Sequence, residues 1–421
     1  MVQQDAVRFN WLFIDMNSFF ASVEQHLRPE LRGRMVGVIP VESEGSCVIA
    51  ASADAKRMGV KVGTRVRDAR RLCPEIVLVR ARPALYVKVH QAVGRSIDRC
   101  APVHKVYSID EWAIRLMGKE REPGLAMALG RRIKREILSD FSAWLTCSIG
   151  IAETRLLAKI ASDLKKPDGL TTLHTSELPG RLEDHELNDF PGIARAMLRR
   201  LHAAGVRTVR QLWGLSPQES REIWGSVQGE SWWHGFHGND LPEAPTRRRS
   251  FNHANMLPPE HRDDAGAHGV LVRLLCKGAW RLRHDGYAAH RLHIEVRAYN
   301  DRRWEAQGSL EGTQDTLTIV RLFESLWRRR PWAGGRESEW RPLAQVAITL
   351  SGLRPLNDVA PMLFEGPRPL TPLSRAIDRI NMRWGRNSVY LGSVHDCRHE
   401  MEDKIAFGRI PDEGVNSPGA G

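Results

Sequence analysis

The stretch Val103-His104-Lys105-Val106-Tyr107-Ser108-Ile109-Asp110-Glu111-Trp112-Ala113-Ile114 carries most of what this sequence discloses. The apolar run Val103–Ile109 reads as a strand and Trp112–Leu116 as its partner, with two adjacent carboxylates set between them. Charges at the end of a buried strand are costly unless something pairs with them. A similar arrangement lies upstream in Trp11-Leu12-Phe13-Ile14-Asp15-Met16-Asn17-Ser18-Phe19-Phe20, where Asp15 ends an apolar strand and an aromatic helix start follows. Singly, an Asp after a strand is usually a cap or turn residue, and an Asp-Glu pair is usually solvated. Together, three carboxylates at the ends of two apolar strands suit hard divalent cations, which take oxygen ligands.

The rest of the chain frames that site. Its 421 residues suffice for two to four domains with real cores. An excess of 62 Lys and Arg over 50 Asp and Glu gives a net charge of +12, which favours a polyanionic partner, nucleic acid ahead of an anionic membrane. Six scattered cysteines with no C-x-x-C pair argue against a zinc ribbon or a disulfide framework and point to a reducing, cytoplasmic setting. Gln3, Gln4, Asp5 and Arg8 interrupt any signal-peptide core. No apolar run reaches the roughly 18 residues of a membrane span, so no membrane partner is expected.

Strand and helix signals alternate through about residue 174 without the rhythm of a parallel sheet, which predicts an α+β fold. Strands are expected over 9–15, 35–40, 47–52, 103–109, 112–116 and 146–152, with longer helices over 17–27, 86–100 and 124–141. Residues 175–241 read as short helices punctuated by Gly and Pro, and 242–249 as a linker. Beyond it, the pattern over 250–355 predicts β-α-β-β-α-β, a four-stranded sheet with both helices on one face and the other face free. An amphipathic helix over 372–384 follows, within a C-terminal extension of 356–421.

A third block, Cys147-Ser148-Ile149-Gly150-Ile151-Ala152, continues through Leu156-Leu157-Ala158-Lys159 to Lys165-Lys166-Pro167-Asp168-Gly169, and the lysines around the end of its helix could reach phosphates as point charges. With Asp15, Phe19-Phe20 and Ser108-Ile109-Asp110-Glu111 it resembles the family Y DNA polymerases, the translesion enzymes of the UmuC/DinB (ImpB/MucB/SamB) type. Order and spacing match along residues 10–355. Asn17 and Ala53-Asp54-Ala55-Lys56 resemble the UmuC forms of their motifs, so the UmuC-like branch is expected.

The resemblance implies a right-hand polymerase: palm over 1–26 and 85–174, fingers over 27–84, thumb over 175–241, linker over 242–249 and little finger over 250–355. Asp15, Asp110, Glu111 and the backbone carbonyl of Met16 would hold two Mg²⁺ ions, with Mn²⁺ as a substitute. Such a pair, about 3.5–4 Å apart, clamps the attacking and leaving oxygens of an in-line phosphoryl transfer. Neighbours on a strand point to opposite faces, so Asp110 and Glu111 can share a site only where the strand bends or ends.

By the same resemblance, Phe19, Phe20, Lys56 and Lys166 belong to the dNTP site. Phe20 falls at the position that excludes a ribose 2′-hydroxyl, while for Phe19 an aromatic packed in the core is the preferred reading. Lys56 stands where many relatives carry arginine, and Ala53 where they carry tyrosine. Gly192 and Ile193, in a helix-hairpin-helix-like thumb, and Arg247, Arg248, Arg249, Arg297, Arg302 and Arg303 are expected to contact primer-template DNA. Leu363 and Phe364 stand where relatives carry a sliding-clamp peptide, here without its customary glutamine. The expected function is error-prone, SOS-linked translesion synthesis from dNTPs. Its rival is a catalytically weak DNA-binding adaptor in a mutagenesis complex, against which the three retained carboxylates count.

Overall fold

The computed structural model describes residues 8–243, 248–333, 339–340, 342–358, 370–385 and 387–397. It divides into two compact units, the first ending at Glu243.

In chain order, the first unit begins with β1 (Trp11–Met16), α1 (Phe19–Leu27), β2 (Val36–Ile39), β3 (Ala50–Ala51), α2 (Ala53–Arg57), α3 (Val66–Leu72) and β4 (Val77–Arg80). It continues with α4 (Pro83–Asp98), β5 (Lys105–Ser108), β6 (Glu111–Arg115), α5 (Pro123–Asp140), β7 (Cys147–Ala152), α6 (Arg155–Leu164) and β8 (Leu170–Leu173). Four short helices close the unit: α7 (Arg195–Ala203), α8 (Val209–Trp213), α9 (Pro217–Trp224) and α10 (Val227–Phe236).

The main sheet runs β5-β6-β1-β7-β8, with β1 central and antiparallel to both neighbours. Every residue of β1 and β7 is buried, because helices cover both faces. Strand alternation sorts the side chains. Leu12 and Ile14 join the core with Val93, Ile97, Ile133 and Ile137 of α4 and α5, whereas Trp11 and Phe13 pack with Leu157 and Ala161 of α6. Asp15 therefore belongs to the α6 face. A Cβ added at Gly150 of β7 would lie 2.0 Å from the Ala158 carbonyl oxygen and 2.3 Å from the Ser162 nitrogen, so only glycine lets α6 lie this close to the sheet.

A second sheet, β3-β2-β4, contains a strand that sequence patterning overlooks: β4 is only four residues long and pairs parallel with β2. β8 was overlooked for the same reason, and it too pairs parallel, with β7. The mixed α+β class holds.

The second unit comprises β9 (Ser250–Met256), α11 (Asp264–Asp285), β10 (Tyr287–Ala298), β11 (Arg303–Thr313), α12 (Thr316–Trp327), β12 (Leu343–Ser351), β13 (Arg354–Pro355) and α13 (Thr371–Trp384). Its sheet is antiparallel in the order β11-β10-β12-β9, as the β-α-β-β-α-β pattern predicts, with the short β13 on β10. Leu292, Ile294 and Val296 of β10 and Val346, Ile348 and Leu350 of β12 face the helices, while Arg291, His293, Glu295 and Arg297 line the other side.

Candidate active site

The three acidic residues are brought to one end of the sheet by where two strands end. Asp15 near the end of β1 lies opposite Glu111, the first residue of β6. Ile109 and Asp110 form the turn between β5 and β6, with Ser108 paired to Glu111. The chain reverses at Asp110, so adjacent acids need not point to opposite faces. The Met16 N–H donates to the Asp110 carbonyl at 2.9 Å and fastens the turn to β1. The Ser108 hydroxyl donates to the Asp110 carboxylate.

His90 of α4 supports the turn from behind. Its ring stacks on Trp112 at 4.7 Å, and its Nδ1 lies 2.7 Å from the Ile109 carbonyl oxygen. Burial holds this imidazole below the ordinary histidine value, against the pull of that hydrogen bond, and because a carbonyl only accepts, Nδ1–H is the donor.

Burial also pushes the Asp110 carboxyl up, the Ser108 hydrogen bond opposes this, and the charges of Asp15 and Glu111 add to the rise. The compensating cation is Lys159 of α6, whose side chain is 16 % exposed. Its ammonium pairs with Asp15, reaches Glu111 at 2.8 Å and Asp163 at 3.5 Å. Burial alone would lower Lys159, but Asp15, Asp163 and Glu111 together raise it. Lys166 lies 2.7 Å from both Asp15 and Asp163. The ammonium of Lys56 is lowered first by desolvation and then by the charge of Lys166, with Asp15 and Asp110 opposing. Seven charged groups thus crowd one site.

That crowd fits a divalent cation. The donors are hard oxygens, and the Asp110 carboxyl is raised first by burial and then by the charges of Asp15 and Glu111, which a bound cation would offset. Among the described residues no three His, Cys, Asp or Glu side chains converge on one point, since Asp15 and Glu111 turn to Lys159.

The other expected residues divide. Phe20 is half-buried and stacked on Tyr86 at 4.4 Å, and the Tyr86 hydroxyl donates to the buried Glu24 at 2.7 Å. Arg82 pairs with the same carboxylate, so the ring under Phe20 is held rigidly. The Phe19 side chain is buried in the core cluster that holds Leu12, Ile14 and Met16.

Gly192 takes φ +90° in the turn before α7, which favours glycine. The Ile193 side chain is buried, and its N–H donates to the Phe190 carbonyl at 3.0 Å.

In the second unit Arg297 pairs with Glu295, Arg303 with Glu295 and Glu305, Arg302 with Glu339, and Arg248 with Asp285. They form an ion-paired surface rather than free cations, though such exposed pairs are weak enough for phosphates to compete. Arg249 is exposed. Arg247, Leu363 and Phe364 lie outside the described residues.

Sequence reasoning missed Lys159 as a site residue, along with His90 and Tyr86. Each belongs to a helix that reads as amphipathic packing, and only its placement brings Lys159 to the acids, His90 to the Ile109 carbonyl and Tyr86 under Phe20.

Residues 14–163 match the model of the impB/mucB/samB family, and residues 248–361 match its C-terminal domain. A protein of Moorella thermoacetica called DNA polymerase IV is 30 % identical over 385 residues, covering 90 % of this chain and 94 % of the relative. Another of that name, from Pelotomaculum thermopropionicum, is 28 % identical over 392 residues, covering 90 % and 93 %. These names lend no support to the expected nearness to UmuC. Among solved structures, a chimera of the Y-family DNA polymerases Dbh and Dpo4 superposes with a TM-score of 0.66 at 22 % identity, covering 82 % of this chain and 98 % of the chimera. The insertion ternary complex of Dbh DNA polymerase gives 0.54 at 23 % identity, covering 81 % and 98 %.

Proposed function

This chain belongs to the Y family of DNA polymerases, the impB/mucB/samB group, and from that membership we propose that it extends a primer across damaged template, with low fidelity, by two-metal nucleotidyl transfer from dNTPs. It is a DNA-directed DNA polymerase with palm, fingers, thumb and little finger. The palm comprises 1–26 and 85–174, the fingers 27–84, the thumb 175–241 and the little finger 250–355, joined through 242–249.

Asp15, Asp110, Glu111 and the Met16 carbonyl would hold two Mg²⁺ ions, which when bound lower the pKa of the primer 3′-hydroxyl and neutralise the departing pyrophosphate. Lys166 and Lys56 offer point charges to the triphosphate, without the fork an arginine would supply. Phe20, braced by Tyr86, presents a flat face to the incoming sugar and leaves no room for a 2′-hydroxyl. The exposed basic residues of the second unit add sequence-independent phosphate contacts that weaken with salt.

The observation that carries this reading is the pairing of Asp15 with Glu111 across two strand ends, with Asp110 tied to the same point by the Met16 amide. Primer extension on undamaged and abasic templates with Mg²⁺ tests it. Wild type extends the primer on both, and Asp110→Ala/Glu111→Ala binds primer-template but extends neither. If wild type binds and likewise fails with Mg²⁺ and Mn²⁺, the chain is an adaptor and the catalytic reading is lost.

A further inference from the structure

We propose, on the reading that the open sheet face of the second unit meets primer-template DNA, that Glu295 is an electrostatic brake on that face. It holds Arg297 and Arg303 back from phosphates and so limits how tightly the sheet grips the backbone. Because it acts through the two arginines, Glu295 is a positioning residue.

The strand register sets up the arrangement. β10 and β11 place Glu295 directly opposite Glu305, and the next position on the same face places Arg297 directly opposite Arg303. Residues two apart on a strand share a face, so all four side chains stand on the side away from the helices. Like charges directly opposite one another repel. Each rung is therefore unfavourable alone, and the square is held by its other contacts. Arg297 pairs with Glu295 along its own strand, and Arg303 reaches Glu295 at 2.9 Å across the sheet while also pairing with Glu305. His293 approaches Glu305 at 3.3 Å.

Glu295 is the centre of this square. Its Oε1 accepts from Arg297 and its Oε2 from Arg303. Its side chain is 17 % exposed, against 50 % for each arginine. Burial would raise its carboxyl, but hydrogen bonds from both arginines and their charges hold it below the ordinary glutamate value. The neighbouring strand adds no charge: Gln345, Ala347 and Thr349 of β12 stand beside Arg297, Glu295 and His293. A phosphate gains either arginine only by drawing it off Glu295, which stays behind as a fixed negative charge. Ion pairs of half-exposed arginines add little to stability, so the fold gains little from the square, whereas a polyanion meets it directly.

Fluorescence anisotropy of the full chain on a labelled primer-template, titrated in buffers from low to high salt, tests the brake. Glu295→Gln keeps the shape and removes the charge. It tightens binding at low salt at least about threefold and steepens the log–log salt slope by about 0.9, one further phosphate neutralised. Arg297→Gln/Arg303→Gln weakens binding, and Glu295→Gln added to that variant gives no gain. Glu311→Gln makes the same change of net charge on β11, at an exposed residue with no arginine partner among the described residues, and leaves the slope at the wild-type value. Circular dichroism checks that each variant is folded. If the arginine variant binds as wild type does, the DNA-contact reading fails and the brake with it. If that variant weakens binding and Glu295→Gln neither tightens binding nor steepens the slope, the contacts stand and the brake is overturned. An equal gain from Glu311→Gln also overturns it, since net charge alone would then suffice.

Discussion

At the scale of the residue, Lys159 explains how three acids are tolerated together at the end of a buried sheet. Its ammonium lies between Asp15 and Glu111, where it acts as an internal counter-ion. Removing one partner of a buried ion pair typically costs about 3–5 kcal/mol, because the remaining charge is stranded. Lys166 still pairs with Asp15, so Lys159→Met should fall at the low end, about 3 kcal/mol in metal-free buffer. On the proposed two-metal reading Mg²⁺ binds the folded state, and it should then narrow that deficit as its concentration rises. Thermal melts of wild type and variant with and without Mg²⁺ measure both effects. A deficit indifferent to Mg²⁺ would show that the lysine does not balance the metal-binding charge. The residue pattern alone does not single out Lys159, which looks like any lysine on an amphipathic helix. By contrast, the acids stand out because apolar neighbours surround them.

At the scale of the element, the contact between β7 and α6 sets the depth of the site. Gly150 allows the α6 backbone to lie against the strand, and α6 carries Lys159 and Asp163 to the acids. Overpacking a core commonly costs about 1–3 kcal/mol, and here the new methyl would meet backbone atoms that cannot swing away. Gly150→Ala should therefore lower stability by about 3 kcal/mol, read as a shift of the denaturant midpoint at unchanged slope. A midpoint within experimental error of wild type would mean that α6 can withdraw freely. The long, periodic elements were legible from patterning, including the whole β-α-β-β-α-β order. β4 and β8 were not, since a four-residue apolar strand looks like a loop until its parallel partner is in place.

At the scale of the whole molecule, the two units have separate hydrophobic cores. One contains Leu12, Ile14 and Ile149, and the other Leu271, Ile294 and Ile348. A chain with more than one core departs from two-state unfolding. Scanning calorimetry should give a calorimetric enthalpy larger than the van't Hoff value, with the Gly150→Ala effect confined to one transition. A single transition with equal enthalpies would show that the units unfold as one. No helix among the described residues is long and apolar enough to cross a membrane, consistent with the absence of any such run in the sequence.

What the sequence determined by itself was the identity of the acids, the order of the elements and the basic character of the surface, because these follow from local periodicity and composition. Tertiary structure alone decided which cations meet those acids, that Phe19 and Ile193 are buried, and that most of the expected DNA-binding arginines are ion-paired. Partners far apart in the chain, such as Lys159 with Asp15 or Asp378 with Arg283, are brought together by packing of whole elements, and no pattern within either segment encodes that meeting.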